Sequence, residues 1–304
     1  MTGMTEQTGR TEHAPRILSE EEWTARRTQH RERVARLVDP HAERRASGTA
    51  HPVHDFLFTY YSFRPNQLRR WHPGHGIALA DAEERADWAG YHAVDVGDVR
   101  VVTVRPDVLE QRHETVRFVA DLLAATESRP AALGCLGLHE WAMVYRAGDD
   151  VRHRTVPLRL GAAGTDAVVE SLPLRCTHYD AFRFFTDEAA PRNSLTLSRA
   201  DQVDREQPGC LHAGMDLYKW AYKLVPLVDS DLVLDCLEHA FAARELDMRA
   251  SPYDLTDYGY SPVPIETAAG RADYVRHQAD LAERARPLRA RLRHLCEQLL
   301  AYPT

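Results

Sequence analysis

The stretch PGCLHAGMDLYKWAYKL, from Pro208 to Leu224, decides how the rest of the sequence is interpreted. A Pro-Gly turn opens it, and the residues that follow have the spacing of an α-helix. Because an α-helix has about 3.6 residues per turn, residues spaced by four, three and four lie on one side. Four ionisable residues have this spacing: His212, Asp216, Lys219 and Lys223. Aromatic and apolar residues fill the other sides, so the stretch predicts either a core helix with an ion-paired rim or one wall of a functional cleft.

The composition favours a globular protein and disfavours several functional classes. Hydrophobic residues make up 44% of the chain and charged residues 27%, which are ordinary values for a globular domain. The formal net charge of −7 disfavours a broad electrostatic grip on DNA or on an anionic membrane. No apolar run approaches the ~18 residues of a membrane span, and the N-terminus has no apolar signal core. We therefore expect a cytoplasmic protein without a membrane partner.

The predicted helices and strands, taken in chain order, indicate an α+β fold that is predominantly helical, with two small β-hairpin or sheet elements. Residues 1–17 are polar and are predicted to be a disordered tail, and residues 18–304 to form a single helix-rich globular domain. Alternating valines between Tyr91 and Arg105 predict a hairpin, and a second β-like region is predicted between Arg152 and about Asp180. Residues 186–207 are polar and are predicted to be a surface loop.

Helices are predicted in most of the remaining segments. Ser19 and Glu22 form a capping box for a long charged helix that reaches about Ala46. The others are predicted near Leu109–Ala125, over Ala132–Arg146, after an N-cap at Ser230, and from about Arg271 to Tyr302 with a break at Pro287. Leucines at heptad-like spacing in the last helix are predicted to be core.

An aromatic block and a run of arginines adjoin each other between His51 and Gly76, in HPVHDFLFTYYSFRPNQLRRWHPGHG. Its six large apolar side chains predict a short buried element, and Arg64, Arg69 and Arg70 follow directly. Aromatic rings beside arginines are suited to stack bases and hold phosphates. They equally suit an arginine-capped corner of the core, and the sequence leaves both interpretations open.

Histidine and carboxylate residues lie close in sequence on three separate predicted elements: His139–Glu140, His178 with Asp180, and His212 with Asp216. These residue types are the ligands of zinc and of non-haem iron, and His212 and Asp216 are about 6 Å apart on a helix. We expect one member of the adjacent pair His139–Glu140 to be buried and the other exposed. The alternative is that Asp216 is simply ion-paired along its own helix. The five scattered cysteines include no CxxC pair, so neither a disulfide framework nor a Cys-rich zinc site is expected.

The motifs that are absent leave carboxylate chemistry as a further candidate. The sequence has no GxSxG, no recognisable nucleophilic cysteine and no phosphate-binding loop. Cleavage of an N-glycosidic bond needs a carboxylate and an aromatic pocket that grips the base. The candidate carboxylates are Asp216, Asp180, Asp254 and Glu140, and the candidate aromatic residues are Tyr60, Tyr61, Tyr218, Trp220 and Tyr222.

Five segments together resemble a group of actinobacterial proteins commonly labelled 3-methyladenine DNA glycosylase. These segments are HPVHDFLFTYYSFRP, LHEWAMVYR, THYDAFRFFT, QPGCLHAGMDLYKWAYKL and LDMRASPYDL. The resemblance covers most of the chain from about residue 18. It implies the hydrolytic excision of alkylated purines from damaged DNA, without a cofactor.

The leading hypothesis is therefore a base-excision N-glycosylase. Asp216 is the first candidate for the catalytic carboxylate, and the further catalytic candidates are His212, Glu140 and Asp180. Its candidate substrate-binding residues are Tyr60, Tyr61, Arg64, Arg69, Arg70, Arg175, Arg183, Tyr218, Lys219, Trp220 and Asp254. The alternative is a metal-dependent oxygenase or hydrolase that acts on a small molecule, with iron or zinc bound by His139, His178 and His212. A third hypothesis is a non-enzymatic scaffold. Convergence of the three histidines on Asp216 would favour a site over unrelated core histidines.

Overall fold

The computed structural model describes residues 15–148 and 155–302. In these residues the strands are β1 (Arg16–Leu18), β2 (Ile77–Ala80), β3 (Tyr91–Val96) and β4 (Val99–Val104). The helices are α1 (Glu20–Ala46), α2 (Phe56–Tyr60), α3 (Pro106–Glu127), α4 (Leu138–Ala142), α5 (Gly161–Ser171), α6 (Tyr179–Phe182), α7 (Gln202–Arg205), α8 (Leu211–Lys223), α9 (Ser230–Arg249) and α10 (Ala268–Ala301). A large helical body with one small sheet confirms the predicted α+β, predominantly helical fold.

Helix α1 packs on the body through a narrow buried stripe. Its N-terminus has the predicted capping box, because the Ser19 hydroxyl accepts the Glu22 N–H and the Glu22 carboxylate accepts the Ser19 N–H. Trp23, on the buried stripe, donates a hydrogen bond from its indole Nε1 to the carbonyl of Ala80 in β2 (2.8 Å). This bond joins the long helix to the sheet.

The sheet has the strand order β1-β2-β4-β3, and β3 and β4 form the predicted hairpin with Tyr91 opposite Val104. Strand β1 pairs in parallel with β2. It lies partly within the stretch that was expected to be a disordered tail. Burial of Leu18 at 1% exposure offsets the entropy lost when this short strand is ordered. Residues 1–14 of the expected tail lie outside the described residues.

The second β-like region differs from its prediction. Residues 161–171 form α5, and the described residues on either side form only isolated bridges, from Leu158 to Tyr253 and from Leu174 to Asn193. Pro157 interrupts the alternating residues and lacks the N–H that a longer ladder requires. Residues 149–154, where this region was predicted to begin, lie outside the described part of the chain.

The C-terminal helix α10 runs without interruption through Pro287, so the predicted break is wrong. Proline removes one intrahelical hydrogen bond, but packing of α10 against α3 and α9 keeps both halves in one helix. Leu292 and Leu299 of its leucine stripe are buried in the core, as predicted. No helix within residues 15–148 and 155–302 is both long and apolar enough to cross a membrane.

Two other helices begin or end at residues that differ from the prediction. Within Ala132–Arg146 only α4 is helical, because Leu136 and Gly137 adopt positive φ and interrupt the helix. The N-cap of α9 is Asp229 and not Ser230, since the Asp229 carboxylate accepts the Leu232 N–H (2.8 Å).

Helix α8 is the central helix of the body and confirms the helix predicted from Pro208 to Leu224. Ten of its 13 residues are buried, and it packs against α9 and α10. Gly214 allows the close approach to α9, because a Cβ atom at this position would lie 2.9 Å from the His239 Nε2. The helix is therefore a core element, and its ionisable side chains are carried into the interior.

Asp55, at the N-terminus of α2, allows a test of how a buried charge stabilises the fold. Burial raises the pKa of its carboxyl, but hydrogen bonds from Arg44, His41 and the His51 backbone N–H outweigh this and lower it to about 2. A depressed carboxyl pKa stabilises the folded state above the unfolded pKa, and this contribution is lost as pH falls through the folded pKa. We expect Asp55→Asn to lower the melting temperature at pH 7 and the difference from wild type to shrink between about pH 4 and pH 2, measured by circular dichroism.

The matched control is Asp95→Asn, which removes an exposed ion pair with Arg100. Such a surface pair contributes little to stability, so this variant should melt close to wild type at every pH. An effect of Asp55→Asn that stays constant down to pH 2 would contradict the assigned pKa.

Candidate functional site

The carboxylate of Asp216 is the centre of a buried polar cluster on α8. Its Oδ1 accepts a hydrogen bond from the Tyr61 hydroxyl (2.8 Å), and its Oδ2 accepts one from Lys219 Nζ (2.8 Å). His178 Nε2 lies 3.4 Å from the same Oδ2. Lys223 points elsewhere and is exposed. Asp216 thus faces both its own helix and a histidine from a distant segment.

Glu206, just after α7, is a member of this cluster that the sequence analysis missed. It is 3% exposed, its Oε1 lies 3.4 Å from His178 Nε2, and it accepts a hydrogen bond from Gln202 Nε2 (2.6 Å). Residues 186–207 were predicted to be a polar surface loop. That prediction is wrong for the helix α7 and for the buried residues of the segment, which are Ala189, Asn193, Leu197, Glu206 and Gln207. Gln202 and Glu206 are four residues apart, which is about one helical turn, and this spacing was the feature of the sequence that could have identified their contact.

Asp180 links the cluster to the surface. Lys219 Nζ bridges Asp216 and the Asp180 Oδ2 (2.9 Å), and the half-exposed Arg183 pairs with the other Asp180 oxygen (3.2 Å). His178 and Asp180 do not share a face of an extended strand, since His178 precedes α6 and Asp180 lies within it. Both nevertheless contact the same group of charges. We call His178, Asp180, Glu206, Asp216, Lys219 and Tyr61 the Asp216 cluster.

The pKa shifts in the Asp216 cluster follow from its charges. Burial alone would raise the pKa of the Asp216 carboxyl, but Lys219 and His178 hold it well below its usual range. Burial lowers the pKa of His178, and the charges of Glu206 and Asp216 outweigh this and raise it. Burial raises the pKa of Glu206 despite the opposing charge of His178. Asp216 is therefore ionised at neutral pH, and the excess of carboxylates in the cluster draws a proton.

His178 is the least satisfied member of the Asp216 cluster. It is 1% exposed, and neither of its ring nitrogens has a hydrogen-bond partner within the described residues. The distances of 3.4 Å to the two carboxylates exceed the 2.7–2.9 Å of an ordinary charge-assisted hydrogen bond. A buried ring nitrogen that lies near two carboxylates but is hydrogen-bonded to neither is costly, and a ligand shared by the three residues would relieve that cost.

A second buried cluster adjoins the first. His139 Nε2 lies 2.6 Å from Asp247 Oδ1, and Arg244 donates to Asp247 (2.8 Å) and to Glu140 (2.7 Å). We call these four residues the Asp247 cluster. Both His139 and Glu140 are buried, so the prediction that one of them is exposed is wrong. The sequence analysis did not identify Arg244 or Asp247 as site residues, although they are three residues apart on α9, which is an ordinary spacing for an ion pair.

His212 lies between the two clusters. Its ring centroid is 4.5 Å from that of His139 and 5.3 Å from that of His178. Burial and the neighbouring His139 depress the pKa of His212, which is therefore neutral. The three histidines that the sequence singled out are thus neighbours in space. Of the three, His178 contacts Asp216, whereas His139 and His212 lie with Asp247 in the adjoining group.

Two groups of three residues have ligand atoms close enough to hold a metal ion: His178, Glu206 and Asp216, and His139, His212 and Asp247. In each group these atoms lie within 4.8 Å of one another, and all six residues are buried. The charges distinguish the groups. In the Asp247 cluster Arg244 and a protonated His139, whose pKa the Asp247 charge raises despite burial, balance the two carboxylates. The Asp216 cluster has no such balance.

The predicted aromatic residues are divided between the cluster and its surroundings. The Tyr60 ring packs edge-on against Tyr61 (4.9 Å), and burial together with Asp216 and Asp180 raises the pKa of Tyr60 to about 12. Tyr218 packs against Tyr61 in the core and does not contact Asp216 through its hydroxyl. Trp220 lies on another side of α8 against Phe118. Tyr61 thus belongs to the cluster, Tyr60 and Tyr218 pack against it, and Trp220 contacts the cluster through Lys219, whose Nζ lies 4.7 Å from the indole ring.

The predicted arginines do not converge on Asp216. Arg183 alone reaches the cluster, through Asp180. Arg69 is paired with Asp39, Arg70 stacks on Trp88, and Arg64 and Arg175 are exposed. Asp254 accepts a hydrogen bond from the Thr256 hydroxyl, away from the cluster. The expected phosphate-binding group is therefore dispersed.

Arg244 provides a test of the Asp247 cluster. We expect Arg244→Met to reduce the free energy of unfolding by about 3–5 kcal/mol, because it leaves Glu140 and Asp247 as buried carboxylates without their guanidinium. Urea denaturation would measure the loss, with Arg276→Met, at an exposed pair with Asp273, as the matched control. A loss below about 1 kcal/mol, in the range of surface ion pairs, would contradict the buried network.

In comparisons with known proteins, no protein-family model, no curated protein and no solved structure matches this chain.

Proposed function

We propose that His178, Glu206 and Asp216 bind a divalent iron or zinc ion and that the protein is a metal-dependent enzyme acting on a small molecule. The observation that carries the proposal is the position of His178 Nε2. It lies 3.4 Å from an oxygen of each carboxylate, yet it has no hydrogen-bond partner within the described residues. One imidazole nitrogen and two carboxylate oxygens are a ligand set that both iron and zinc accept.

The charge of the Asp216 cluster supports a dication. The cluster contains three carboxylates, those of Asp180, Glu206 and Asp216, and one ammonium group, that of Lys219, which pairs with Asp180 and Asp216. Arg183 contributes little to the interior because it is 45% exposed. With all three carboxylates ionised, a divalent ion beside a neutral His178 would balance these charges, whereas a proton on His178 alone would leave one negative charge in excess. Buried charge of one sign is strongly disfavoured.

Neighbouring side chains would orient the ligands. Tyr61 holds Oδ1 of Asp216, and Gln202 holds Oε1 of Glu206. Such outer contacts fix the rotamers of metal-binding residues and sustain affinity. Lys219, which now donates to Asp216, has a second acceptor in Asp180 at 2.9 Å and would remain paired if a cation took its place on Asp216.

The exposed rim of the cluster would bind the substrate. Asp180 and Lys219 are 15% and 12% exposed, and Tyr60 and Arg183 lie beside them. A bound zinc ion would supply Lewis-acid chemistry and a bound iron ion redox chemistry. Arg183 and Lys219 favour a substrate with an anionic or strongly polar group. We place the enzyme in the cytoplasm, where its five free cysteines would stay reduced.

Metal content tests this proposal. Protein purified from cells grown with added iron and zinc should contain about one equivalent of metal, measured by elemental analysis. Glu206→Gln and Asp216→Asn should each lower metal affinity about 10–100-fold or more, since each removes a charged ligand. Thermal melting would confirm that both variants fold.

The matched control is Asp254→Asn, which changes a carboxylate outside the cluster and should retain the metal. Folded wild-type protein that binds neither metal in a direct titration would refute the proposal. Equal metal loss in Asp254→Asn would place the metal elsewhere.

Excision of an alkylated base is a second candidate function, as the resemblance to the labelled glycosylases implies. The observation that favours it is that Lys219 and His178 keep Asp216 ionised beside the aromatic rings of Tyr60 and Tyr61. An ionised carboxylate could stabilise the positive charge that develops on the sugar. Because Asp216 is 1% exposed, Tyr60 and Tyr61 would have to move before a flipped nucleotide could reach it.

Release of 3-methyladenine from alkylated duplex DNA tests this candidate. Wild type should release the base and bind duplex at low salt, and Asp216→Asn should lose at least about 100-fold in rate without losing DNA affinity. The same assay after removal of metal by a chelator separates the two proposals, because the glycosylase mechanism uses no cofactor. Wild type without release or duplex binding would eliminate excision.

A further inference from the structure

A cleft of about 380 Å³ lies at the C-terminal end of α8, between α1, α3 and α9. Three of its lining side chains are cations: Arg70, Arg112 and Lys223. Its lining includes no carboxylate from the described residues, and none of the three cations has an ion-pair partner in that part of the chain. Arg112 donates one of its N–H groups to the Lys223 carbonyl (2.7 Å), which leaves further donors of its guanidinium available.

The acidic residues of the adjoining helix α9 are committed to other partners. Arg33 pairs with Asp235 and Glu238, and Arg291 pairs with Asp229 and again with Asp235. Asp231 is exposed and acts on His30, but it does not line the cleft. The lining therefore supplies no carboxylate that pairs with the three cations, and Lys223 meets only the more distant charges of Asp216 and Asp180 among the described residues.

Two walls of the cleft are apolar, beside the polar lining residues Gln67, His72 and Ser230. Phe63 and Tyr222 stack on each other with ring centroids 4.0 Å apart and form an aromatic wall. Leu68, Val233 and Leu234 form an aliphatic wall. Cations at the end of an apolar cleft suit a ligand with one anionic group and one apolar body, and the cleft volume falls in the ordinary range for small-molecule sites.

His30 adds a further requirement on the ligand. Its Nε2 contacts the Leu68 carbonyl (2.7 Å) and must donate to it, because a carbonyl only accepts. Burial lowers the pKa of His30, so the ring is neutral and Nδ1 is an acceptor. Nδ1 is buried, and no described residue donates to it. A ligand hydroxyl or N–H near this lining residue would supply that donor.

We propose that this cleft binds a small organic anion, an aromatic or aliphatic carboxylate or phosphate ester, with its anionic group on Arg70, Arg112 and Lys223. No residue of the Asp216 cluster lines the cleft, although the two are neighbours through Phe63, which stacks on Tyr61, and the proposal does not depend on the metal proposal. A nucleic-acid backbone would use the cations but leave the apolar walls without contacts, so the structure favours the small molecule.

Direct binding measurements test the proposal with the full-length protein and four probes. Phenyl phosphate and benzoate combine both features, inorganic phosphate has only the charge, and phenol has only the ring. In titration calorimetry and saturation-transfer NMR, at least one of the first two should bind at least about tenfold more tightly than inorganic phosphate and phenol. Lys223→Gln and Arg70→Gln should each weaken that binding about tenfold, since each removes one charge-assisted contact.

The matched control is Arg117→Gln, which removes an exposed arginine from α3 outside the cleft lining and should leave binding unchanged. Arg70→Gln keeps the measurement interpretable if Lys223→Gln disturbs the end of α8, and thermal melting checks both. Absence of binding by phenyl phosphate and benzoate at millimolar concentration would overturn the proposal. Affinity that is unchanged in the cleft variants would overturn it as well, as would a DNA duplex that binds through these residues when phenyl phosphate does not.

Discussion

The buried carboxylate of Asp216 is the constraint on which the rest of the interior depends. It is nearly inaccessible to water, so its charge must be compensated by protein groups. Those groups come from separate parts of the chain: Lys219 from the same helix, Tyr61 from the end of α2, and His178 from the start of α6. Each contact fixes one segment against α8. A single charge thus organises short segments whose own helices are too brief to be stable alone.

The two buried clusters solve the same electrostatic problem differently. In the Asp247 cluster a guanidinium binds both carboxylates, and a protonated His139 completes the balance. This arrangement needs nothing from outside the protein and fits a structural role. In the Asp216 cluster the single ammonium group serves Asp180 and Asp216, and His178 lies between Asp216 and Glu206 without a proper hydrogen bond. An incomplete buried network is typical of functional sites, where local cost is retained for binding or chemistry.

Sequence reasoning succeeded where local chemistry alone decides the structure. The capping box of Ser19 and Glu22, the valine hairpin and the spacing of α8 all depend on residues within a few positions of each other. It failed where tertiary packing decides. Pro287 is tolerated because neighbouring helices hold α10, and Glu206 is buried although its segment is polar. The three histidines that the sequence singled out lie next to one another, but their partners Glu206 and Asp247 lie far away in sequence and carry no motif.

His212 joins the two clusters, and this has a consequence for how they could be occupied. The neutral ring lies against both His139 and His178, so those two imidazoles are at most about 10 Å apart. At this distance two unit positive charges repel by about 2 kcal/mol at an effective dielectric constant of about 20. Adding a cation to one cluster would therefore weaken the hold of the other on its own proton or ion. Because such coupling is reciprocal, cation binding at the Asp216 cluster and at the Asp247 cluster would show negative cooperativity, with the neutral His212 ring between them.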